Sequence, residues 1–500
     1  MSEPAKKTNP HLLAIDQGTT SSRAILFSAA GDVELVAQRE LKLYYPNDGW
    51  VEQQADAIWA DTQAVCREVI QAAEKQGMPI AALGITNQRE TTVVWDKKTG
   101  QPVYNAIVWQ DRRTADYCAE LRAAGHEATL TEKTGLLLDP YFCATKIRWI
   151  LNEVEGARAR AEAGELLFGT IDCFLLWHLT GGKRHATDIT NASRTAIFDI
   201  HEQCWDKQLL KLFDIPESLL PEVVDNTGDF GHSTNEALGA ELPIAAMIGD
   251  QQSALVGQGC FAPGSIKSTY GTGCFMLMNT GTQALPSKHR LLTTVAYRLG
   301  GETHYALEGS IFVAGAAIQW LRDGLELFDD AAASEALAQT VENNGGVYFV
   351  PALTGLGAPY WRADARGMFV GITRDTNRGH IARAALEAQA YQTRDLVSAM
   401  QADGGSTPPV LRVDGGLVAN ALACQQLADT LQTSVEVPKI VEATAWGAAS
   451  LAGLQAGVFY SVDDIAKVWQ LDKGYRPASS AADADAQYAG WQQAINRLLD

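Results

Sequence analysis

Three short turns rich in glycine and hydroxyl residues each follow an apolar run, and their residue types suit a phosphate. The first is Asp16-Gln17-Gly18-Thr19-Thr20-Ser21-Ser22-Arg23. Gly18 lets the backbone turn tightly. The N–H groups after it and the hydroxyls of Thr19, Thr20 and Ser21 could then surround a phosphate oxygen. Arg23 adds a cation, and Asp16 at the strand end could hold magnesium through water. The second turn is Tyr270-Gly271-Thr272-Gly273, and the third is Asp414-Gly415-Gly416 ahead of a helix. Singly, each is more often a polar turn or a point of close packing. Together they describe a nucleotide held in a cleft between two domains. No G-x-x-x-x-G-K-[ST] run is present, so a P-loop is excluded. Gly355-Leu356-Gly357-Ala358-Pro359 lacks the third glycine of a dinucleotide fingerprint and reads as a loop.

Two further clusters place polar groups at the ends of apolar runs. Ile85-Thr86-Asn87-Gln88-Arg89-Glu90-Thr91-Thr92 sets an arginine beside a glutamate, which by itself reads as a surface ion pair of small value. Pro243 to Gly249 runs into Asp250-Gln251-Gln252. Asp250 is there either a helix N-cap or a general base, and the pattern alone favours the cap. The nine histidines show no zinc spacing, and there is no G-x-S-x-G elbow.

These residues need strands and helices to hold them. Leu12 to Ile15, Ala24 to Phe27 and Val33 to Glu40 predict an antiparallel meander. Ala55 to Lys75 has helical periodicity, and Ala82 to Ile85 is a buried strand. Thr92 to Trp95 and Ala106 to Trp109 are further strands. The strand–turn–strand pattern returns at Gly264 to Met278, which suggests two related α/β domains with a boundary near residue 255. Later elements are a strand at Tyr348 to Pro351, a helix from His380 to about Gln401, a strand at Val410 to Val413 and a helix from Ala419. Ala443 to Ala456 is the expected last major helix. Ala478 to Ala486 is expected to be an exposed linker before a terminal helix.

The 500 residues are 46% hydrophobic and 20% charged, as in a globular protein of several domains. A formal net charge of −19 argues against general nucleic-acid binding, which needs a basic surface. The eight cysteines form no C-x-x-C pair and sit in apolar contexts, as buried free thiols of a reducing compartment would. Met1 to Pro10 is polar and lacks the apolar stretch of a signal peptide. No apolar run is long enough to span a membrane; Pro243 to Phe261 comes nearest, but Asp250, Gln251 and Gln252 interrupt it. A cytoplasmic protein is expected.

A colinear set of motifs gives a resemblance that runs essentially end to end. It comprises Asp16 to Arg23, Gly84 to Thr91, Trp109, Asp139-Pro140-Tyr141-Phe142 and Tyr141 to Trp149 with Lys146. It continues through Asn191-Ala192-Ser193-Arg194-Thr195, Gly249 to Gln252, Tyr270 to Met276, Ala314 to Leu321 and Asp414 to Asn420. The chain resembles the FGGY carbohydrate kinases of the actin–hexokinase–Hsp70 superfamily, and within them the glycerol-phosphorylating members.

The resemblance implies an α/β fold of two actin-like (ribonuclease H-like) ATPase domains, residues 1–255 and 256–500, with a nucleotide cleft between them. The implied reaction is ATP-dependent phosphorylation of glycerol to sn-glycerol 3-phosphate. Arg89, Glu90, Tyr141, Asp250 and Gln251 would bind the glycerol hydroxyls, and Trp109 and Phe275 would pack on its carbon edge. Thr19, Thr20, Ser21, Arg23, Thr272, Gly315, Gln319, Gly416 and Asn420 would hold ATP or ADP. Asp250 would be the base, and Asp16 and Asp250 would lie on the Mg2+ side. A homodimer or homotetramer is expected by resemblance alone. Some relatives bind fructose 1,6-bisphosphate through a Gly-Gly-Thr-Arg-type loop. The matching stretch here, Leu238-Gly239-Ala240-Glu241, has a glutamate and no arginine, so that regulation is expected to be absent or weak.

Overall fold

The structure is a computed structural model that describes residues 10–362, 364–406 and 408–500. Apart from Pro10, the polar N-terminal stretch lies outside these residues. Two mixed sheets organise the chain. The first is built from β1 (His11–Gln17), β2 (Ser21–Ser28), β3 (Val33–Glu40), β4 (Ile80–Asn87) and β5 (Ile244–Gly249), in the order β5-β4-β1-β2-β3. The second is built from β6 (Ile266–Tyr270), β7 (Cys274–Gly281), β8 (Leu292–Leu299), β9 (Glu302–Ile311), β10 (Val410–Asp414), β11 (Ser434–Pro438) and β12 (Leu471–Tyr475). Its order is β8-β9-β7-β6-β10-β11-β12.

The two sheets share one five-strand unit. In the first, β1 pairs antiparallel with β2 and parallel with β4, and β4 pairs parallel with β5. In the second, β6 pairs antiparallel with β7 and parallel with β10, and β10 pairs parallel with β11. The outer antiparallel strands β3 and β9 correspond. The recurring strand–turn–strand opening expected from the sequence is therefore the hairpin at the centre of each sheet. In both units the parallel strands end on one edge, where an open α/β sheet binds its ligands.

The central strands are buried on both faces, as parallel strands require. Leu13 and Ile15 face a core with Leu26, Leu83 and helix α1 (Ala55–Gln76). Buried residues of α1, among them Ile58, Val65, Val69 and Ala73, recur at the three-to-four spacing of one helical face. Leu12 and Ala14 face the opposite core, with Ile25, Phe27 and Trp446.

That second core joins the halves of the chain. Helix α2 (Asp250–Gly257) leaves β5. The second half supplies α3 (Gly315–Asp323), α4 (Arg378–Ala402), α5 (Ala421–Leu431) and α6 (Ala443–Gln455). Of these, α6 returns to lie on the first sheet and against α2. A Cβ on Gly447 would stand 1.9 Å from the Ser253 carbonyl oxygen, and one on Gly257 would stand 1.9 Å from the Ala443 carbonyl oxygen. The backbones touch only because neither residue has a side chain. Ser253 Oγ donates to the Thr444 carbonyl at 2.6 Å across the same contact.

Four sequence expectations change. The helix expected from Ala419 begins at Ala421, after a 3-10 turn at Gly416–Ala419, because Asn420 Oδ1 accepts the Ala423 N–H and caps it. Ala443–Gln455 is not the last major helix, since α7 (Ala481–Leu499) follows. Ala478 to Ala486 is not a linker throughout: Ser480 caps α7, and Ala481 to Ala486 form its first turns. Cys204 is exposed, whereas the other seven cysteines are buried; all eight are free.

Helix α7 docks through Asp395 of α4, whose carboxylate accepts from Tyr488 (2.5 Å) and from Trp491 Nε1 (2.9 Å). Burial pushes Asp395 up to about 6, against these hydrogen bonds. It therefore binds its proton more tightly folded than unfolded, where an Asp titrates near ~4. Stability contributed at this site falls as pH rises from ~4 to ~6 and stays reduced above that. The Tm of the parent relative to an Asp395→Asn variant should accordingly be higher at about pH 5 than at about pH 7; a pH-independent difference would contradict the assignment. Gly447→Ala should cost ~1–3 kcal/mol in urea unfolding, because α2 must move away. Unchanged stability would mean that the two helices slide apart freely.

Candidate active site

The polar segments of the sequence converge where the parallel strands end. Asp16 is the penultimate residue of β1, Gln88 to Glu90 follow β4, and Asp250 follows β5. From the second sheet, Thr269 is penultimate in β6 and lies across from Asp414, the last residue of β10. Two hairpin turns close over this edge. Gly18 N–H donates to the Ser21 carbonyl at 2.9 Å, and Gly271 N–H donates to the Gly273 carbonyl at 2.9 Å.

Arg89 and Glu90 are not a surface pair; they are 2% and 1% exposed. Successive side chains of an extended strand point opposite ways. A three-residue γ-turn prevents this: Thr91 N–H donates to the Arg89 carbonyl at 2.7 Å, with Glu90 at φ 59°. Such a turn is rare and strained. It lets both side chains line one cavity.

Four buried charges lock this geometry. Arg89 reaches Glu308 with two nitrogens, at 2.5 and 3.2 Å. Arg194 reaches Glu308 at 2.8 Å and Glu90 at 2.6 Å. Burial pushes the Glu308 carboxyl up, but Arg194 and Arg89 outweigh it and hold it at about 2. Burial opposes the charge of Arg89 as well, and Glu308 and Glu90 restore it, leaving its pKa raised.

Asp250 stands beside this cluster, with Oδ1 at 3.2 Å from Arg89 Nε. The pattern favours Asp250 as the N-cap, but that position falls to Gly249, because β5 stays extended through it (φ −60°, ψ 149°). Asp250 is thus the first helical residue, and its carboxylate accepts the Gln251 N–H at 2.7 Å. Burial raises Asp250 to about 6, with Arg89 lowering and Glu90 raising it. At neutral pH the group is ionised yet more basic than an exposed carboxylate, which suits a general base.

One cavity of about 380 Å³ is lined by Thr19, Thr20, Arg89, Glu90, Trp109, Tyr141, Asp250, Gln251, Thr272 and Phe275 among others. The structure thus gathers all seven residues expected at the acceptor, and three of those expected at phosphate. Trp109 packs edge-on against Tyr141 and Phe275, with ring centroids 5.6 and 5.9 Å away. Trp109 Nε1 donates to Thr19 Oγ1 at 2.8 Å, tying the aromatic wall to the first turn. Gln251 Oε1 accepts from Lys267 Nζ at 2.5 Å. Burial lowers Lys267 to about 8, with Asp414 opposing it.

A second cavity of about 490 Å³ contains Arg23, Asp414, Gly415, Gly416, Glu442 and Lys473, and Thr269 lines both cavities. Gly415 has φ 92°, and a Cβ there would stand 2.4 Å from the Tyr270 carbonyl oxygen, so this turn needs glycine for close packing. Nothing lies within 4 Å of the position a Gly416 Cβ would take, which leaves it open to a ligand. The other expected nucleotide residues line neither cavity. Ser21 opens β2. Gly315 N–H donates to the Gly271 carbonyl at 2.9 Å and so steadies the second turn. Gln319 is exposed on α3, and Asn420 caps α5. Asp16 pairs with Arg23, which also reaches Glu442 at 2.7 Å.

Among the described residues, no group of three or more His, Cys, Asp and Glu could hold a metal ion alone. Asp16 and Asp250, each also paired with an arginine, offer the one or two carboxylates that Mg2+ takes together with water and phosphate.

Sequence reasoning missed Glu308 and Lys267, and gave Arg194 no role. The available signal was a lone charge inside an apolar strand, as in Tyr305-Ala306-Leu307-Glu308 and Ile266-Lys267-Ser268. Glu308→Ala leaves Arg89 and Arg194 short of a counter-charge. It should destabilise the fold by ~3–5 kcal/mol in denaturant unfolding; a loss below ~1 kcal/mol would show that the cluster contributes little.

Comparison with known proteins gives the family. The N-terminal domain of the FGGY family of carbohydrate kinases matches residues 11–257, and its C-terminal domain matches residues 266–456. Glycerol kinase of Nitrosomonas eutropha is 61% identical over 490 residues, covering 98% of both chains. Glycerol kinase 1 of Pseudomonas aeruginosa is 58% identical over 489 residues, 98% of this chain and 99% of its own. The crystal structure of Plasmodium falciparum glycerol kinase with ADP superposes with a TM-score of 0.92 at 36% identity, over 98% of each chain. Both family domains are matched in order and the similarity runs from end to end: the chain belongs to the FGGY family of carbohydrate kinases.

Proposed function

We propose that this protein transfers the γ-phosphoryl group of ATP to a terminal hydroxyl of glycerol, giving sn-glycerol 3-phosphate. The observation that carries it is Asp250: a carboxylate raised to about 6, placed 3.2 Å from Arg89 Nε in a small cavity whose walls include the rings of Trp109, Tyr141 and Phe275. The curated relatives named glycerol kinase supply the substrate.

A three-carbon triol is small and strongly hydrated, so its site must replace each water hydrogen bond. Arg89, Tyr141 and Gln251 offer donors, and Glu90 and Asp250 offer acceptors. An analogue lacking one hydroxyl would leave such a group unpaired and be rejected strongly. Trp109 and Phe275 cover the carbon edge and exclude water, which would otherwise compete as nucleophile. Phosphoryl transfer depends on in-line positioning and charge neutralisation more than on covalent chemistry. Asp250 takes the proton of the attacking hydroxyl. Thr19, Thr20, Ser21, Thr272 and the N–H groups of the two turns would hold phosphate, with Arg23, Gly315, Gln319, Gly416 and Asn420 on the nucleotide side. Asp16 and Asp250 would hold the Mg2+ that accompanies ATP and neutralises developing charge.

The halves 1–255 and 256–500 are taken as the two bodies that close on the substrates. Seven buried free thiols support a reducing compartment such as the cytoplasm. No described helix is long and apolar enough to cross a membrane. A homodimer or homotetramer rests on resemblance to the family.

ADP release from Mg-ATP should be stimulated strongly by glycerol and weakly by dihydroxyacetone, erythritol or xylulose. A preference for a ketose would reassign the acceptor. Asp250→Asn should lower turnover at least ~100-fold and leave glycerol binding within about an order of magnitude; normal turnover would remove Asp250 from the base role.

A further inference from the structure

Lys267 is a fully buried cation for which the contacts above leave no substrate role. Its Nζ donates to Gln251 Oε1 at 2.5 Å, to Thr269 Oγ1 at 3.0 Å and to the Phe275 carbonyl at 3.3 Å. An ammonium has three N–H donors and no acceptor. All three are engaged, so none remains for a substrate atom.

The three acceptors come from two walls. Gln251 belongs to α2 in the first half and follows Asp250. Thr269 and Phe275 belong to β6 and β7 in the second half. Gln251 and Phe275 line the acceptor cavity, and Thr269 lines both cavities. Lys267 also decides which way the Gln251 amide faces. An ammonium can bond only the oxygen end, so the NH2 end is the one left toward the cavity. Gln251 then meets an acceptor hydroxyl as a hydrogen-bond donor.

We propose that Lys267 is a positioning residue that ties the acceptor wall of the first half to the phosphate-side wall of the second, fixing Gln251 as a donor to the acceptor substrate and Thr269 at the passage between the cavities. This rests on the phosphotransfer reading above. Its physical basis is that an amide free to flip would also present its oxygen, adding a third acceptor beside the carboxylates of Glu90 and Asp250 where a donor is needed.

The test is steady-state kinetics of Lys267→Met, which keeps the side-chain length and removes the charge. Glycerol KM should rise at least ~10-fold and kcat should fall at least ~10-fold, the scale of misplacing a substrate-binding group. In a Gln251→Ala background, adding Lys267→Met should change glycerol KM less than ~2-fold, because the group it positions is already gone. Constants within twofold of the parent, or KM effects that multiply in the double variant, would overturn the proposal. If Lys267→Met does not fold, Lys267→Gln decides the same comparison, since it keeps a donor and loses the charge. A parent that shows no glycerol-stimulated ADP release overturns the phosphotransfer reading and this proposal with it. A working parent with an unaffected variant overturns the proposal alone.

Discussion

Everything at this site depends on the pairing of Arg89 and Arg194 with Glu90 and Glu308. Removing four charges from water is expensive, and mutual attraction offsets that cost only if geometry is close and hydrogen bonds are nearly complete. Here three separate segments must meet: the loop after β4, the turn around residue 194 and strand β9. Glu308 belongs to the second sheet, while both arginines belong to the first half of the chain. The cluster therefore fixes the relation of the halves as well as the orientation of Arg89. Because Arg89 is anchored at its far nitrogens by Glu308, its Nε is left facing Asp250.

Asp250 owes its basicity to the same arrangement. Burial alone would favour its neutral form, and Arg89 draws it back while Glu90 resists. The balance leaves an ionised group that can still accept a proton. Full exposure to water would leave a weaker base, and burial without the arginine would favour the neutral form.

The repeated five-strand unit supplies the platform. Parallel strands point their ends to one edge, and the central hairpin of each sheet folds its glycine turn over that edge. Two copies facing one another give a cleft with phosphate-type turns on both sides. The glycines of α2 and α6 let the halves approach backbone to backbone behind that cleft. The strained γ-turn at Glu90 is tolerated because Arg194 and the cluster hold it.

Much of this was legible in the sequence. Alternating and continuous apolar runs marked β1 to β4, α1, β6, β7 and α4, because burial of one or both faces leaves a direct imprint on residue order. The glycine turns were recognisable because phosphate chemistry restricts the residue types allowed, whereas the acceptor-side roles of Asp250, Trp109, Tyr141 and Phe275 came from resemblance to the family. The start of α5 and α7 was missed for want of attention to Asn420 and Ser480 as caps. The pairing within the ion cluster could not be read from residue order. Arg89 beside Glu90 looks like a surface pair, and Glu308, more than two hundred residues away, carries no local sign of its partner. Local order and hydrophobic pattern determine which elements form and which residue types are available. Which charges leave water together, and hence the pKa of Asp250 and the place of Lys267, was decided only when distant segments met, since desolvation and Coulomb energy depend on spatial distance and not on separation along the chain.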